Sequence, residues 1–195
     1  MNAQNEQFFT DQDDREAVLS VQAGDTQAFS LLVERYTPAL HALALRMLGD
    51  RETASEAVQE IFFKAYRHLS TFEPQRRFYP WLYTIAVNHV RTEVRKTRFR
   101  ERFHHRSADP DYTLSFIPSR HAAPEESLLR READREISAA LGTVPPRQRE
   151  VFVLRYVSGL SVRDVSEIVK LPENTVKTYA RRAREKLAHA LSSVI

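Results

Sequence analysis

Apolar side chains recur at steps of three and four along almost the whole 195-residue chain, and no run alternates for long with a period of two. Only four glycines are present, too few for a Gly-rich phosphate loop or a turn-rich β-sandwich. The expectation is therefore all-α. Phe29, Leu32, Val33, Tyr36, Leu40, Leu43, Ala44, Met47 and Leu48 form one buried stripe of a helix that opens near Asp25 and closes at Gly49. Pro38 lies inside that helix and predicts a kink or a local irregularity. Asp50 can cap the next helix, carried by Ala54, Ala57, Val58, Ile61, Phe62, Ala65, Tyr66 and Leu69. The run Glu73-Pro74-Gln75-Arg76-Arg77 breaks it as a loop, and Pro80 suits the first turn of a long helix over 79–102. With a short helix near 15–23, these make a first domain of about four helices over residues 1–102.

Residues 103–124 lose the periodicity and contain Pro110, Pro118 and Pro124, which predicts a flexible linker. Patterning returns over 125–195, the expected second domain. One helix runs from Pro124-Glu125-Glu126 to Gly142, and another from Pro145-Pro146 to near Gly159. Ser161-Val162-Arg163-Asp164 has the spacing of a capping box, with Asp in place of Glu, and opens a short helix to Val169. Lys170-Leu171-Pro172 turns the chain into a last helix over about 173–191.

The formal charge is only +3, but it is unevenly spread. Residues 1–75 carry 6 basic and 12 acidic groups, whereas residues 76–106 carry 9 and 2. The stretch 107–126 is acidic again, and 127–195 is basic with 13 against 8. Two basic blocks behind an acidic front predict nucleic-acid contact at two places. A chain without cysteine has no disulfides, thiol nucleophiles or Cys-ligated zinc. No metal-spaced set of His and carboxylates appears: His104-His105 lie in the polar linker, and Glu56 and Glu60 read as one solvated helix face. The expectation is a non-enzymatic protein with no cofactor. The N-terminus is acidic where a signal peptide would be basic and then apolar, and no apolar run is long enough to insert in a membrane, so a cytoplasmic location is expected.

A capped short helix, a three-residue turn and a longer basic helix make a helix-turn-helix. Val165, Ile168 and Val169 can pack on Val176, Tyr179 or Ala180, and Ala183, leaving Asn174, Lys177, Thr178, Arg181 and Arg182 outward. Arg and Lys there can donate to guanine edges in a major groove, and Thr175 at the helix start suits a phosphate. In the first domain, Phe72, Phe78, Tyr79, Trp81, Tyr83 and Phe99 are interleaved with Arg76, Arg77, Arg91, Arg95 and Lys96. Aromatic faces stack on unpaired bases while cations follow the backbone, so this block fits single-stranded or flipped bases. Trp81, Leu82, Ile85, Ala86 and Val90 form the expected buried stripe of its helix, with Asn88, Arg91, Thr92, Arg95 and Lys96 on a more exposed face.

The segments AFSLLVERY (28–36), AVQEIFFKAYRHLSTF (57–72), FYPWLYTIAVN (78–88), PPRQREVFVLRYVSGLSVRDVSEI (145–168) and LPENTVKTYARRAREKL (171–187) resemble, in order, the extracytoplasmic-function (ECF) sigma factors of bacterial RNA polymerase. The helix-turn-helix alone also resembles LuxR-type regulators, which leaves a self-contained duplex-binding regulator as the alternative. The ECF resemblance implies core polymerase and promoter DNA as partners, an anti-sigma factor as a controlling partner, and a monomer when free. It implies that Glu56, Val58, Gln59, Glu60 and Phe63 meet the β′ clamp helices, with Glu at position 56 where the family usually has Asp. It implies minus-ten recognition and melting by Phe72, Gln75, Arg76, Arg77, Tyr79, Trp81, Asn88, Arg91, Thr92, Arg95 and Lys96, from a loop that lacks the family's frequent Gly. Minus-thirty-five reading falls to Asn174, Thr175, Lys177, Thr178, Arg181 and Arg182, and docking on the β flap to the surface around Arg149–Tyr156. The linker, with Asp109 and Asp111, would run through the polymerase's RNA-exit region.

Overall fold

Acidic side chains begin the first helix and a glycine turn releases it. Helix α1, Asp11–Gln22, carries Asp11, Asp13 and Asp14 in its first turn, where the helix dipole favours negative charge. Gly24, at φ +104°, allows the reversal, and Asp25 accepts a hydrogen bond from the Gln27 amide at 3.0 Å to start a 3₁₀ turn over Thr26–Ala28. The chain passes directly into α2, Phe29–Leu48. Gly49 ends α2 in the left-handed region, donating to the Leu45 carbonyl at 2.8 Å, and Asp50 caps α3, Arg51–His68, through the Thr53 amide at 2.7 Å. After a 3₁₀ turn over Leu69–Thr71 and a loop, α4 runs over Phe78–His104. The computed structural model describes residues 11–104 and 136–192.

Helix α2 stays helical through Pro38 rather than breaking there. An interior proline costs about 3 kcal/mol. The stripe of Leu32, Tyr36, Leu40, Leu43, Ala44 and Met47 is buried, and each large apolar side chain contributes roughly 1.5–3 kcal/mol, so packing outweighs the lost bond.

Helical residues 136–142 form the described part of α5. It is followed by α6, Pro146–Phe152, with Pro146 in its first turn, then α7, Val162–Val169, and α8, Glu173–Ser192. The sequence predicts a regular helix to near Gly159, but after Phe152 the backbone widens into a π turn over Val153–Val157. The Ser158 amide reaches back five residues to the Val153 carbonyl at 2.9 Å, and the Arg155 guanidinium donates to the Leu160 carbonyl. The capping box at α7 is present in both directions: the Asp164 amide donates to Ser161 Oγ at 3.1 Å and the Ser161 amide to Asp164 Oδ2 at 3.3 Å. Lys170 takes the left-handed conformation (φ 58°) that closes α7.

Tyr36, Leu40, Ile61, Leu69, Leu82 and Tyr83 are fully buried among α1–α4, and Leu141, Leu154, Val165, Val176 and Ala183 among α5–α8. The two groups touch: α4 packs on α7 and α2 on the π turn, so the buried residues form one continuous cluster. A polar tie fastens α1 to α2. Asp14 is buried, accepts from the Tyr36 hydroxyl, and pairs with the Arg35 guanidinium at 2.5 Å.

Helix α1 starts four residues before the expected 15–23, and α4 continues through 103 and 104 at the start of the expected linker. The rest of that linker, including Asp109 and Asp111, and the helix start at Pro124-Glu125-Glu126 lie outside the described residues. No described helix is long and apolar enough to cross a membrane.

Candidate nucleic-acid interface

The C-terminal helix-turn-helix is built as its pattern requires. Val165, Ile168 and Val169 of α7 are buried with Val176, Ala180 and Ala183 of α8, and Tyr179 is half-buried. This fixes the roll of α8, leaving Asn174, Lys177, Arg181 and Arg182 exposed, with Thr175 and Thr178 half-buried at their edge. Arg181 makes an exposed ion pair with Glu185 at 2.7 Å, which solvent makes cheap to exchange for a nucleic-acid contact. Thr178 bonds back to the Asn174 carbonyl at 2.8 Å.

In the N-terminal group the polar half of the expected site lies along α4. Asn88, Arg95 and Lys96 are exposed and Thr92 is half-buried. These side chains form a ladder at helical spacing: Thr92 Oγ1 donates to the Asn88 carbonyl at 3.0 Å, Arg95 to Thr92 Oγ1 at 3.3 Å, and Lys96 to Glu93 at 2.8 Å. Gln75 and Arg76 are exposed on the preceding loop, Arg76 paired with Glu73 at 3.2 Å.

The aromatic half differs from the stacking face that the sequence predicts. Phe72 is buried, with its ring 5.8 Å from Phe78 and 4.9 Å from Trp81. Trp81, expected in the buried stripe, is only half-buried at the edge of this cluster. Tyr79 is buried too, and Tyr83 is fully so, its hydroxyl pKa pushed up by burial to about 12. Aromatic rings this close to a core gain more from burial than from water, so Phe72 serves the fold here and Trp81 is the ring left partly accessible. One residue gave no sequence signal: Gln22, at the end of α1, donates its amide to the carbonyls of Leu69 and Phe72, both at 2.8 Å. It anchors the root of the Glu73–Arg77 loop.

Two arginines of the same face are engaged by the C-terminal group. Arg91 is bidentate on Glu150, with Nε 2.9 Å from Oε2 and Nη2 on Oε1. Arg77 Nη1 lies 2.8 Å from Asp164 Oδ1, and its Nη2 contacts the Tyr79 hydroxyl. Burial raises the Asp164 pKa, but bonds from Ser161 and Tyr79 and the Arg77 charge outweigh it and lower the pKa below the ordinary value. Burial and the neighbouring Asp164 carboxylate push the Tyr79 hydroxyl well above its usual range.

On the far side of α3, Glu56, Gln59, Glu60 and Phe63 share an exposed face. Phe63 is 57% exposed with the Arg67 guanidinium 5.7 Å from its ring centre. Val58 is different: it is buried among the core side chains, so it shapes this face from beneath. Where α3 meets α4, Lys64 Nζ lies 2.8 Å from His89 Nδ1, and burial with the Lys64 charge lowers the His89 pKa, favouring the neutral ring that accepts this bond. Among the described residues no group of three His, Cys, Asp or Glu side chains is placed to hold a metal ion.

Comparison with known proteins fits this arrangement. Residues 32–100 match the family described as Sigma-70 region 2, and residues 134–187 match Sigma-70, region 4. The chain is 34% identical to the RNA polymerase sigma-H factor of Pseudomonas aeruginosa, over 96% of this chain and 98% of that protein. It is 31% identical to the ECF RNA polymerase sigma factor SigW of Bacillus subtilis, over 91% and 96%. Among solved structures, CnrH in complex with the cytosolic domain of CnrY superposes with a TM-score of 0.69 at 27% identity, covering 93% of this chain and 98% of that one. The sigma factor RpoE in complex with the anti-sigma factor NepR from Bartonella quintana gives 0.62 at 28% identity, covering 83% and 93%. A region 2 match, a region 4 match in the same order and near full-length relatives lead to one conclusion: the chain belongs to the ECF sigma factors of RNA polymerase.

Proposed function

We propose that this sigma factor meets polymerase through the exposed α3 face of Glu56, Gln59, Glu60 and Phe63, meets the minus-ten strand through the α3–α4 loop and α4, and reads the minus-thirty-five duplex with α8. The observation that carries the reading is the basic, exposed face of α8 on a capped helix-turn-helix, with Asn174, Lys177, Arg181 and Arg182 directed away from the core. Domain bounds of 1–102 and 125–195 around a linker over 103–124 fit the two family matches.

Each DNA face is small. Phosphate contacts supply salt-dependent attraction, base edges supply selection, and mounting both faces on one polymerase raises the effective concentration of the second contact. Strand opening in this reading comes from capturing exposed bases. Trp81 supplies a partly accessible ring near the start of α4, and the cations of Arg95 and Lys96 lie further along the same helix. A second polymerase contact, with the β flap, falls on the π turn, where Tyr156 is 50% exposed and stacks at 4.9 Å on Phe152. An anti-sigma partner is proposed from relatives solved in such complexes, and the same exposed faces are what it would cover.

The α3 face is tested by Phe63→Ala. Aromatic anchors at interfaces are worth about 2 kcal/mol or more, so core-polymerase affinity falls roughly 30-fold in a titration. Phe63 is mostly exposed, so the melting temperature of the free chain stays within about a degree of wild type, as for surface substitutions generally. Unchanged polymerase affinity would remove this face from the proposal.

A further inference from the structure

Arg77, Tyr79 and Arg91 belong to the face proposed to meet the minus-ten strand, and all three are occupied by the C-terminal half of the same chain. The occupants are carboxylates. Glu150, 4% exposed, takes Arg91 in a two-point grip, and Asp164, 6% exposed, takes Arg77 at 2.8 Å beside the Tyr79 hydroxyl. A planar guanidinium grips a carboxylate and a phosphate with the same fork, so these acids fill the positions that backbone phosphates would take. Charge complementarity has no local cause here, because the partners lie 59 and 87 residues apart in sequence.

The Tyr83 hydroxyl of α4 and the Ser158 hydroxyl beside the π turn are buried against each other at the same seam. The duplex-reading face of α8 lies outside the seam, with Asn174, Lys177, Arg181 and Arg182 exposed. The arrangement therefore engages part of one DNA face, at Arg77, Tyr79 and Arg91, and leaves the other open.

We propose that Glu150 and Asp164 act as an internal stand-in for DNA phosphates, holding the free chain closed on Arg91 and Arg77 so that closure and binding of a single strand compete for the same guanidiniums. This rests on the assignment of α4 and its preceding loop to the minus-ten strand. The apparent single-strand affinity of the free chain is reduced by the fraction that is closed. A polymerase that holds the two halves apart would release the strand-binding face at the time it is used.

The test uses the full chain, free of polymerase. It has no cysteine, so Ser20→Cys and His189→Cys place a donor and an acceptor dye on exposed sites of the two halves. Glu150→Gln and Asp164→Asn remove the charges while keeping the side-chain shape, and Asn can still accept the Ser161 amide. Each variant is expected to shift the energy-transfer distribution to longer distance. Each is also expected to tighten binding of a short fluorescein-labelled single-stranded DNA of mixed sequence about three- to tenfold at fixed salt, as the competent fraction rises. Glu167→Gln, an exposed acid on the same α7, makes the same charge change away from the seam and should alter neither readout. Two folded variants with unchanged distances would overturn closure itself. Variants that open without gaining affinity over Glu167→Gln would overturn the competition by showing that the uncovered face is not the strand site, a failure of the minus-ten assignment rather than of closure.

Discussion

Arg181→Ala is expected to lower initiation at promoters carrying the upstream element by about 5- to 150-fold, the equivalent of the roughly 1–3 kcal/mol that one good base contact contributes. Arg181 lies on the exposed side of α8, opposite the Val176–Ala180–Ala183 stripe that seats the helix on α7. Its structural partner is Glu185, in an exposed pair one helical turn away, and such pairs are worth well under 1 kcal/mol. The substitution is therefore expected to remove a DNA contact and to leave the fold nearly untouched. Footprinting and initiation assays on templates with and without an upstream element separate the two effects. An equal loss on both templates would mean that Arg181 is not a reader.

The largest stability effect is expected at Asp14, in the buried polar tie between α1 and α2. Asp14→Ala should cost about 3 kcal/mol, because it strands the Tyr36 hydroxyl and the Arg35 guanidinium that both bind this carboxylate. Asp14→Asn should cost about 1 kcal/mol. Burial raises the Asp14 pKa despite the bonds from Tyr36 and Arg35 that lower it, so the charge itself is expensive to keep there and the acceptor matters more. Denaturant melts of the two variants check the order. A cost for Asn equal to that for Ala would show that the charge, not the hydrogen bond, fastens α1 to α2.

Much of this architecture was legible because its signals are local. Gly49, Asp50 and the Ser161–Asp164 box mark helix ends through bonds spanning three or four residues, and the stripes from Leu32 to Met47 and from Val176 to Ala183 follow a period that survives without tertiary context. The π turn after Phe152 was not legible, since a single widened turn barely alters the apolar spacing of Val151, Val153 and Leu154. The site divided in the same way. The outward face of α8 follows from which residues pack inward, whereas the fate of Phe72 does not. An aromatic beside a basic loop suits a base or a core equally well, and here the neighbouring rings of Phe78 and Trp81 decide it. Glu150 and Asp164 read locally as a helix residue and a cap. Their pairing with Arg91 and Arg77 depends on how the two halves meet, and no local pattern encodes that.

On this reading polymerase acquires promoter choice from this chain, through two faces used together. Start-site mapping of in vitro transcription by core polymerase, with and without the chain on a promoter library, decides whether it does. The expected result is a set of new start sites that appear only with the chain, preceded by two sequence elements at a fixed spacing. The upstream element should lose its influence when Arg181→Ala replaces the wild type. Start sites that are the same with and without the chain, while the free protein binds specific duplex DNA by itself, would contradict the account.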